Sequence, residues 1–547
     1  MKMYYSGLFS AYVALTTTRQ FSNLRKISIR CNIMLKNIRL QNFKSFSSLS
    51  EIESRRITLL YGPNSAGKSS IIQSLMMLKQ TLSTYQGPLS RPSANADLVT
   101  QGEYIDLGSF RSVVSAHSEQ KTLTFHIDSS SSTHGPLRNG VNQNIQLFYG
   151  KEKLKSFQVQ YGKLPSNYLR FLSSGSRKAL NPDDSIIEEI TGRPTGSYSI
   201  DKRIIKGLAR EIRSGAFLKS VSEFIDHSYF GFNLKNLSFD ELSFGEEEIE
   251  KALSSVRVKF VSRASFYGSN HFKKPDILSK IQILLETIVY AAVIETSRSL
   301  AAISYIGPLR SYPQRFYLYS GKSSLSVGQT GENMPYVLFE NQRGVQSEIN
   351  KWFGDFDVPY ILSVGKHTNE VSGNLIVLSL RDKASGVEVS PKDVGFGIGQ
   401  IMPILTEGIV SRNRTICVEQ PELHLHPRLQ AHLGDFFIRT SGPLKSDNQR
   451  SPIGGENRWI IETHSETLML RLQRRIREGA ISSKDVAVYY VDKGKDGWSF
   501  VIPLRMDKKG NFIDAWPDGF FEEGYRDIFH KTTDKDKDSE NVSDNFY

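Results

Sequence analysis

The sequence predicts an α/β protein whose central sheet is assembled from both ends of the chain. Near the N-terminus, RRITLLYGPNSAGKSSIIQSLMMLKQTL combines an apolar strand, a glycine-rich loop and a helix. Near the C-terminus, the apolar runs TICV and WIIET predict two more strands, each followed by polar residues. Between these regions, ILSKIQILLETIVYAAVIETSRSLA has apolar residues at three- and four-residue spacing, which predicts a helix.

Composition restricts the class of protein. The chain has 547 residues, 39% apolar and 23% charged, which is typical of a soluble globular protein with two or three domains. No run approaches the roughly 18 uninterrupted apolar residues of a membrane helix, so we expect no membrane association. The two cysteines, Cys31 and Cys417, argue against a disulfide framework and favour the cytoplasm. The net charge of +12 favours a polyanionic partner such as nucleic acid.

Patterning along the chain predicts five segments. An N-terminal extension (1–33) lacks acidic residues; it is either a segment upstream of the ordered domain or an organelle presequence. The last segment is charge-rich and is predicted to be disordered. The predicted segments are the extension 1–33, the N-terminal half of the core 34–165, a helical insertion 166–303, the C-terminal half 304–530 and the tail 531–547.

The glycine-rich loop GPNSAGKS, residues 62–69, fits the pattern G-x-x-x-x-G-K-[ST] in full and lies between a predicted strand and a predicted helix. Backbone N–H groups of such a loop wrap a β-phosphate, and the following helix N-terminus favours negative charge. We expect Lys68 to reach the β- and γ-phosphates of ATP and Ser69 to bind Mg²⁺. The residues predicted to bind the nucleotide here are Gly62, Pro63, Asn64, Ser65, Ala66, Gly67, Lys68, Ser69 and Ser70.

Three further segments carry polar or glycine residues in positions suited to the same site. Glu419 ends the strand TICV, where its carboxylate can bind Mg²⁺ together with Ser69. His464 follows the strand WIIET and is predicted to reach the γ-phosphate. The segment DVGFGIGQIMPIL has glycines that allow close approach of its backbone to a phosphate, and we expect Gly397, Gly399 and Gln400 to contribute there.

Together these residues resemble the ABC-type ATPases of the SMC, RecF and OLD group. Residues 62–70 look like their Walker A motif, 397–400 their signature motif, 416–419 their Walker B motif, 421–427 their D-loop and His464 their switch histidine. The resemblance implies an ABC-type P-loop ATPase head formed by the N- and C-terminal halves. It also implies a homodimer or higher oligomer, with ATP held between Lys68, Ser69, Glu419 and His464 of one copy and residues 397–399 of another.

A narrower resemblance concerns YIGPLRSYPQRFY, VEQPELHLHPRLQ and FIDAWPDGFFEEG, which are similar to segments of bacterial anti-phage ATPases of Septu-type and retron-associated systems. It implies an ATPase subunit that controls a separate effector nuclease acting on DNA or RNA. The alternative is a DNA-maintenance ATPase of RecF or SMC kind, acting as a clamp or loader. Such clamps often carry a long heptad coiled coil, and the sequence has no sustained heptad run.

Two positions depart from the ABC pattern. Gln420 stands where the family usually has the glutamate that activates the attacking water, and Gly399 stands where its signature motif usually has serine. We assign the catalytic positions to Glu419, Gln420 and His464, and we predict slow ATP hydrolysis because an amide cannot take a proton from water. Glu422 is the alternative base.

Other patterns leave alternatives open. His424, His426 and His432 form H-x-H-x5-H, which suggests a zinc site, although no cysteine or suitable acid completes a known pattern. The sequence after His464 shows no paired D-x-D following a strand, so we expect no nuclease domain in this chain. Gln101 is the candidate for the Q-loop glutamine.

Two basic clusters, RLQRRIR and DKRIIKGLAREIR, are either nucleic-acid contacts or solvated helix faces. Arg310 and Arg315 lie in a loop rich in proline and tyrosine, where they can orient a nucleotide or a partner.

Overall fold

A computed structural model describes most of the chain. The described residues are 34–82, 97–130, 141–161, 169–173, 197–225, 244–260, 276–319, 321, 324, 326–369, 373–442 and 455–517. The predicted extension 1–33 and the predicted tail 531–547 lie outside them, as do residues 443–454.

The described residues form strands and helices with the following bounds. The strands are β1 (Met34–Gln41), β2 (Ser50–Glu53), β3 (Ile57–Tyr61), β4 (Leu123–Ser130), β5 (Asn142–Gly150), β6 (Lys153–Tyr161), β7 (Leu169–Ser173), β8 (Ser197–Ile200), β9 (Val258–Lys259), β10 (Ile303–Ile306), β11 (Tyr317–Leu318), β12 (Tyr360–Asn369), β13 (Gly373–Asp382), β14 (Glu388–Val389), β15 (Thr415–Glu419), β16 (Arg458–Glu462), β17 (Val486–Lys493) and β18 (Ser499–Leu504). The helices are α1 (Lys68–Leu82), α2 (Phe110–Val113), α3 (Lys202–Arg213), α4 (Ala216–Phe224), α5 (Glu246–Ser255), α6 (Ile277–Ala301), α7 (Met334–Glu340), α8 (Gln342–Asp355), α9 (Phe396–Val410), α10 (Pro427–Ser441) and α11 (Glu466–Arg477).

A six-stranded sheet combines the two ends of the chain, in the order β10-β15-β16-β3-β17-β18. Strand β3 comes from the N-terminal half, yet it pairs in parallel with β16 on one side and with β17 on the other. Strands β10, β15 and β16 also run parallel, and β18 is antiparallel to β17. The predicted α/β fold, with a P-loop core built from both halves of the chain, is confirmed.

Both faces of this sheet are buried, as expected for parallel strands. Alternate residues of each strand enter different apolar cores because successive side chains point to opposite faces. Cys417 and Ile460 pack with α1 and α6 in one core. Their neighbours Val418 and Ile461 pack with α9 and α10 in the other core. The short apolar runs in the sequence thus form strands that are covered on both sides.

A second, antiparallel sheet has eight strands in the order β2-β1-β4-β5-β6-β7-β8-β9. Its strands β7, β8 and β9 follow the predicted end of the N-terminal half at residue 165 and so belong to the predicted helical insertion. The insertion therefore contains strands as well as α3 to α6. A smaller sheet pairs β11, β12, β13 and β14. The proposed division into domains remains a prediction.

Helix α6, predicted from its apolar spacing, connects the insertion to the phosphate-binding helix α1. The Ser297 hydroxyl donates to the Leu82 carbonyl at the end of α1, and Gln143 Nε2 of β5 donates to the Ala292 carbonyl. With 25 residues, α6 is long and apolar enough to cross a membrane by length and composition. Its side chains instead lie largely inside the protein, where they form part of the core.

Candidate functional site

The carboxyl ends of β3, β15 and β16 meet at one edge of the six-stranded sheet, the usual position of ligand sites in open α/β folds. The loop after β3 has two glycines with backbone angles that other residues rarely adopt. At Gly62 (φ +138°) a Cβ atom would lie 1.9 Å from the Val491 carbonyl oxygen, and at Gly67 (φ +112°) 2.9 Å from Ser45 Oγ. Glycine is therefore needed at both positions.

Within the loop, Ala66 is buried and Pro63, Asn64 and Ser65 are exposed; Gly67, Ser69 and Ser70 are partly exposed. Helix α1 begins at Lys68, which is only 3% exposed. Its ammonium donates to the carbonyl oxygens of Gly62 (2.9 Å) and Pro63 (2.8 Å).

The Lys68 ammonium group therefore lies beside the backbone carbonyls at the start of the loop. Burial lowers the pKa of Lys68, whereas the nearby carboxyl groups of Glu462 and Glu422 raise it. An ammonium held by two neutral carbonyls can exchange them for phosphate oxygens.

Two carboxyl groups lie side by side at the strand ends. Glu419 of β15 and Glu462 of β16 are direct neighbours in the parallel register, so their side chains project from the same face of the sheet. The Ser69 hydroxyl lies within hydrogen-bonding reach of both and helps to lower the pKa of each. Tyr305 Oη donates to Glu419 Oε1 at 2.8 Å. The structure thus brings the predicted pair Ser69 and Glu419 together and adds a second acid.

Burial, and after it the neighbouring Glu462, raise the pKa of Glu419 to about 7, against the opposing effects of Tyr305, Arg310 and Ser69. Burial also raises the pKa of Glu462. Both shifts have the same first cause, because removal from water disfavours the charged form of a carboxyl group.

Gln420 is fixed by its backbone. Its N–H donates to the Glu462 carbonyl at 2.7 Å, and its own carbonyl accepts from Arg310 Nη1 at 3.1 Å. Arg310 Nη2 also donates to the Glu419 carbonyl at 2.7 Å. These contacts hold Gln420 at φ +44°, an uncommon angle for a residue other than glycine. Arg310 thus orients the strand end, and burial lowers its pKa to about 10.

Glu422 supports the histidine loop. Its Oε1 accepts from the His464 backbone N–H at 2.7 Å, and its Oε2 accepts from Thr463 Oγ1 at 2.8 Å. The alternative that Glu422 replaces the missing base is therefore not supported, because both of its oxygens are engaged. His464 Nε2 is buried without a hydrogen-bond partner among the described residues. Burial lowers the pKa of His464, and the nearby Lys68 lowers it further.

The segment predicted to be the signature motif lies against other parts of the chain. A Cβ atom at Gly399 would lie 2.9 Å from Pro313 Cγ, and one at Gly397 would lie 3.1 Å from the His424 carbonyl oxygen. The ring of Pro313 thus gives a steric reason for glycine at position 399, where the resembling ATPases have serine. Gln400 is buried, and its Nε2 has no hydrogen-bond partner among the described residues.

Exposed apolar side chains lie at the start of α9 and in the loop 309–316, which packs against it through Tyr312 and Pro313. The ring of Phe396 lies 5.8 Å from that of Tyr312. Tyr312 Oη also donates to the Lys392 carbonyl, and Arg315 pairs with both oxygens of Asp393 at 2.7 and 2.8 Å. We call this surface the signature patch; it consists of Leu309, Tyr312, Phe316 and Phe396, which are 77%, 46%, 57% and 43% exposed.

The residues at the strand ends fit a nucleotide with a divalent cation. The loop offers a cradle that a Cβ atom would fill, and the buried atoms Glu462 Oε2 and His464 Nε2 have no partner among the described residues. Those residues contain no group of three or more His, Cys, Asp or Glu side chains able to hold a metal alone. Mg²⁺ needs only one or two carboxylates from the protein, because phosphate oxygens and water supply its other ligands.

The three histidines of the alternative zinc site have different surroundings. The His424 ring contacts Phe396 at 4.8 Å, and the His432 ring contacts Phe356 at 5.6 Å. His426 Nδ1 accepts from the Arg428 N–H and so caps α10, which begins at Pro427 as the sequence indicates. A shared zinc ion is therefore not supported.

The two basic clusters also differ. On α11, Arg471 and Arg475 pair with Asp435, and Arg474 and Arg475 pair with Glu478. On α3, Arg203 and Arg210 pair with Asp201 and Glu246, whereas the side chains of Lys202, Lys206 and Arg213 are exposed along one face. Gln101, the Q-loop candidate, is exposed and forms an isolated bridge with Asp106.

Sequence reasoning missed Glu462, Tyr305 and the backbone role of Arg310. A signal for Glu462 was present, because the segments TICVE and RWIIE are both apolar strands that end in glutamate. Tyr305 and Arg310 gave no comparable signal, since a tyrosine on a strand and an arginine in a loop are common.

Comparison with solved structures gives remote similarities to Smc heads. One is the Smc head domain bound to the C-terminal domain of ScpA derived from Pyrococcus furiosus, with 12% identity over 86% of this chain and 96% of that chain, and a TM-score of 0.36. Another is the SMC head domain from Thermotoga maritima, with 9% identity over 86% of this chain and 100% of that chain, and a TM-score of 0.33. Nothing about function follows from similarities this remote.

Comparison with curated proteins gives no match. A family described as "Protein of unknown function (DUF3696)" matches residues 481–530. A second family, described as "AAA domain, putative AbiEii toxin, Type IV TA system", matches residues 57–470, which is well over half of the chain and includes the loop, both acidic strand ends and the histidine. The chain belongs to this AAA family and has the α/β fold of a P-loop ATPase.

Proposed function

We propose that this chain is the cytoplasmic ATPase subunit of an anti-phage defence system, which binds ATP with Mg²⁺, hydrolyses it slowly and controls a separate nuclease. The observation that carries this proposal is the strand end at Gln420. The phosphate-binding side of the site is intact, yet the residue after the Walker B acid is an amide whose backbone is held by Arg310 and Glu462.

Four side chains bind and orient the nucleotide. Lys68 donates to the β- and γ-phosphates, and Ser69 and Glu419 hold the metal. His464 Nε2 is buried without a hydrogen-bond partner among the described residues and lies near the charge of Lys68, so it would be available to the γ-phosphate. When bound, Mg²⁺ neutralises the phosphate charge and orients the phosphate oxygens.

Hydrolysis is slow because the residue that follows the Walker B acid in the sequence is an amide and not a base. The Gln420 amide can donate to and accept from a water molecule but cannot deprotonate it. General-base catalysis contributes about 10²–10⁴-fold, or roughly 3–5 kcal/mol of barrier. Glu422 is held by Thr463 and the His464 backbone. The ATP-bound state is therefore long-lived and suits a sensor.

Two copies of the chain associate when ATP is bound. The signature patch exposes four large apolar side chains around the start of α9, and such patches are typical of protein interfaces. In the resembling ATPases the signature motif of one copy completes the nucleotide site of the other. Association thus brings residues 397–399 and the signature patch to the phosphate-binding loop of the second copy.

The effector and the biological role are supported by resemblance. The matched family is described as a type IV toxin–antitoxin system, and the three quoted segments resemble anti-phage ATPases. Nucleic acid is the proposed target of the whole complex. Within this chain, the exposed face of α3 with Lys202, Lys206 and Arg213 is better suited to contact it than α11, whose arginines pair with acids.

The proposal is tested by two measurements on the purified chain. Steady-state turnover of ATP with Mg²⁺ should be slow, and light scattering should show a dimer that depends on Mg-ATP. A chain that turns over several ATP per second, or that stays monomeric with and without nucleotide, contradicts the proposal.

A further inference from the structure

We propose that Glu462 is a second carboxylate ligand, beside Glu419, for the divalent cation that accompanies ATP. This inference rests on the proposed function and assigns a metal-binding role to a residue outside the predicted set. The strand register makes Glu419 and Glu462 direct neighbours on parallel strands. The Ser69 side chain is a hydrogen-bond neighbour of both carboxyl groups.

The hydrogen bonds around the two acids are unequal. The single hydroxyl proton of Ser69 can satisfy one carboxylate at a time. Glu419 has a second donor, Tyr305 Oη, at 2.8 Å. Glu462 is only 5% exposed, and its Oε2 has no hydrogen-bond partner among the described residues. A buried carboxylate oxygen without a donor needs a cation or another ligand.

The two nearby cationic side chains, Lys68 and Arg310, donate their hydrogen bonds to backbone carbonyls and not to the Glu462 carboxyl group. Lys68 donates to the carbonyls of Gly62 and Pro63, and Arg310 donates to the backbone carbonyls of Glu419 and Gln420. The negative charges of Glu419 and Glu462 therefore stand together at the position of the metal-binding hydroxyl. A divalent cation between them and the phosphates is the direct way to compensate that charge.

Two other glutamates, Glu407 and Glu422, have fuller hydrogen bonding than Glu462. Glu407 accepts from Ser326 Oγ and the Val327 N–H at Oε2, and from Ser411 Oγ at Oε1. Glu422 likewise has donors at both oxygens. Glu462 differs from both, and it lies next to the neutral Gln420. The chain thus has an amide, Gln420, directly after β15, and a carboxylate, Glu462, at the end of the adjacent strand β16.

The test measures nucleotide affinity of the full-length chain as a function of Mg²⁺, using a fluorescent, non-hydrolysable ATP analogue. Glu462→Gln should raise the half-saturating Mg²⁺ concentration about tenfold or more, as expected when a metal site loses a contact. Affinity in excess EDTA should stay the same or increase, because a negative charge near the phosphates is removed. Glu462→Asp keeps the charge but shortens the side chain, so it should give a smaller shift.

Glu348→Gln is the matched control. Glu348 is also buried, and one of its oxygens lacks a partner, but it pairs with Lys351 on α8. We expect the control to leave both affinities unchanged.

Three results overturn the inference. An unchanged Mg²⁺ dependence in Glu462→Gln excludes a metal contact, even if turnover falls. Equal losses with Mg²⁺ and with EDTA indicate a structural role. If Glu462→Gln does not fold, Glu462→Asp decides, and an unchanged Mg²⁺ dependence there refutes the metal contact. Wild-type protein that does not bind the analogue at all refutes the proposed function itself, and is distinguishable from these results.

Discussion

The two surfaces of the proposed nucleotide site are built in opposite ways. At the phosphate-binding loop, Lys68, Glu419 and Glu462 are 3%, 5% and 5% exposed, and the site combines charge, burial and atoms without partners. At the signature patch, Leu309 and Phe396 are 77% and 43% exposed, and the surface is apolar. The first arrangement is suited to a small charged ligand, and the second to a protein surface.

This difference separates nucleotide binding from the proposed association of two copies of the chain. Nucleotide affinity depends on groups that the fold of a single chain already assembles. In the proposed dimer, completion of the site depends on a surface that the single chain leaves exposed. Substitutions on the two sides should therefore affect different measurements.

The largest effect is expected on the buried side. Lys68→Ala removes the ammonium at the mouth of the loop, and charge-assisted hydrogen bonds of this kind are worth enough to lower ATP affinity roughly 100-fold. Isothermal titration calorimetry measures it. Lys366→Ala, the same truncation at an exposed position on β12, is the control and should bind normally. Equal affinity in Lys68→Ala and wild type removes the basis for the loop assignment.

On the exposed side, Phe396→Asp should disrupt association without loss of nucleotide binding. A central aromatic residue of an interface typically contributes about 2 kcal/mol or more, so we expect the Mg-ATP-dependent dimer to weaken roughly thirtyfold. Analytical ultracentrifugation measures the dissociation constant of the dimer. Ile513→Asp, at a side chain 60% exposed elsewhere, should leave it unchanged. If both variants dimerise like wild type, the signature patch is not the interface.

Chemistry at the strand end gives the next effect. Gln420→Glu introduces a carboxylate beside the Walker B acid, so ATP turnover should rise about tenfold or more and the ATP-bound dimer should become shorter-lived. Gln346→Glu makes the same change on α8 and serves as the control. Fast turnover in wild type that Gln420→Glu does not increase means that the base lies elsewhere, with His464 next to be tested.

A smaller effect extends the comparison to the two basic helices. The binding constant for DNA is expected to fall as the salt concentration rises. Replacing Lys202, Lys206 and Arg213 together should make the slope of log K against log salt concentration shallower by about 0.9 per lost phosphate contact. Replacing Arg471, Arg474 and Arg475 should change it little, because these side chains pair with Asp435 and Glu478. Fluorescence anisotropy with a DNA duplex at several salt concentrations measures both. The reverse result assigns α11 to nucleic acid.

The sequence alone predicts those parts of the proposed site whose residues are close together along the chain. The loop at 62–69 contains its glycines, lysine and serine within eight residues, so its conformation and chemistry follow from local geometry. The strands β3, β15 and β16 were also predictable, since short apolar runs bounded by polar residues are typical of buried parallel strands. The α/β class and the contribution of both chain ends follow from these elements.

The remaining features depend on which residues meet across the fold. Strand register sets Glu462 beside Glu419, although 43 positions separate them in the sequence. Packing of Pro313 against α9 requires glycine at position 399, and Asp435 on α10 neutralises arginines of α11. By itself, the sequence determined the phosphate-binding loop and the strands around it. The tertiary structure decided which acids, arginines and aromatic rings remain available, because a side chain is free or engaged only in relation to residues distant in sequence.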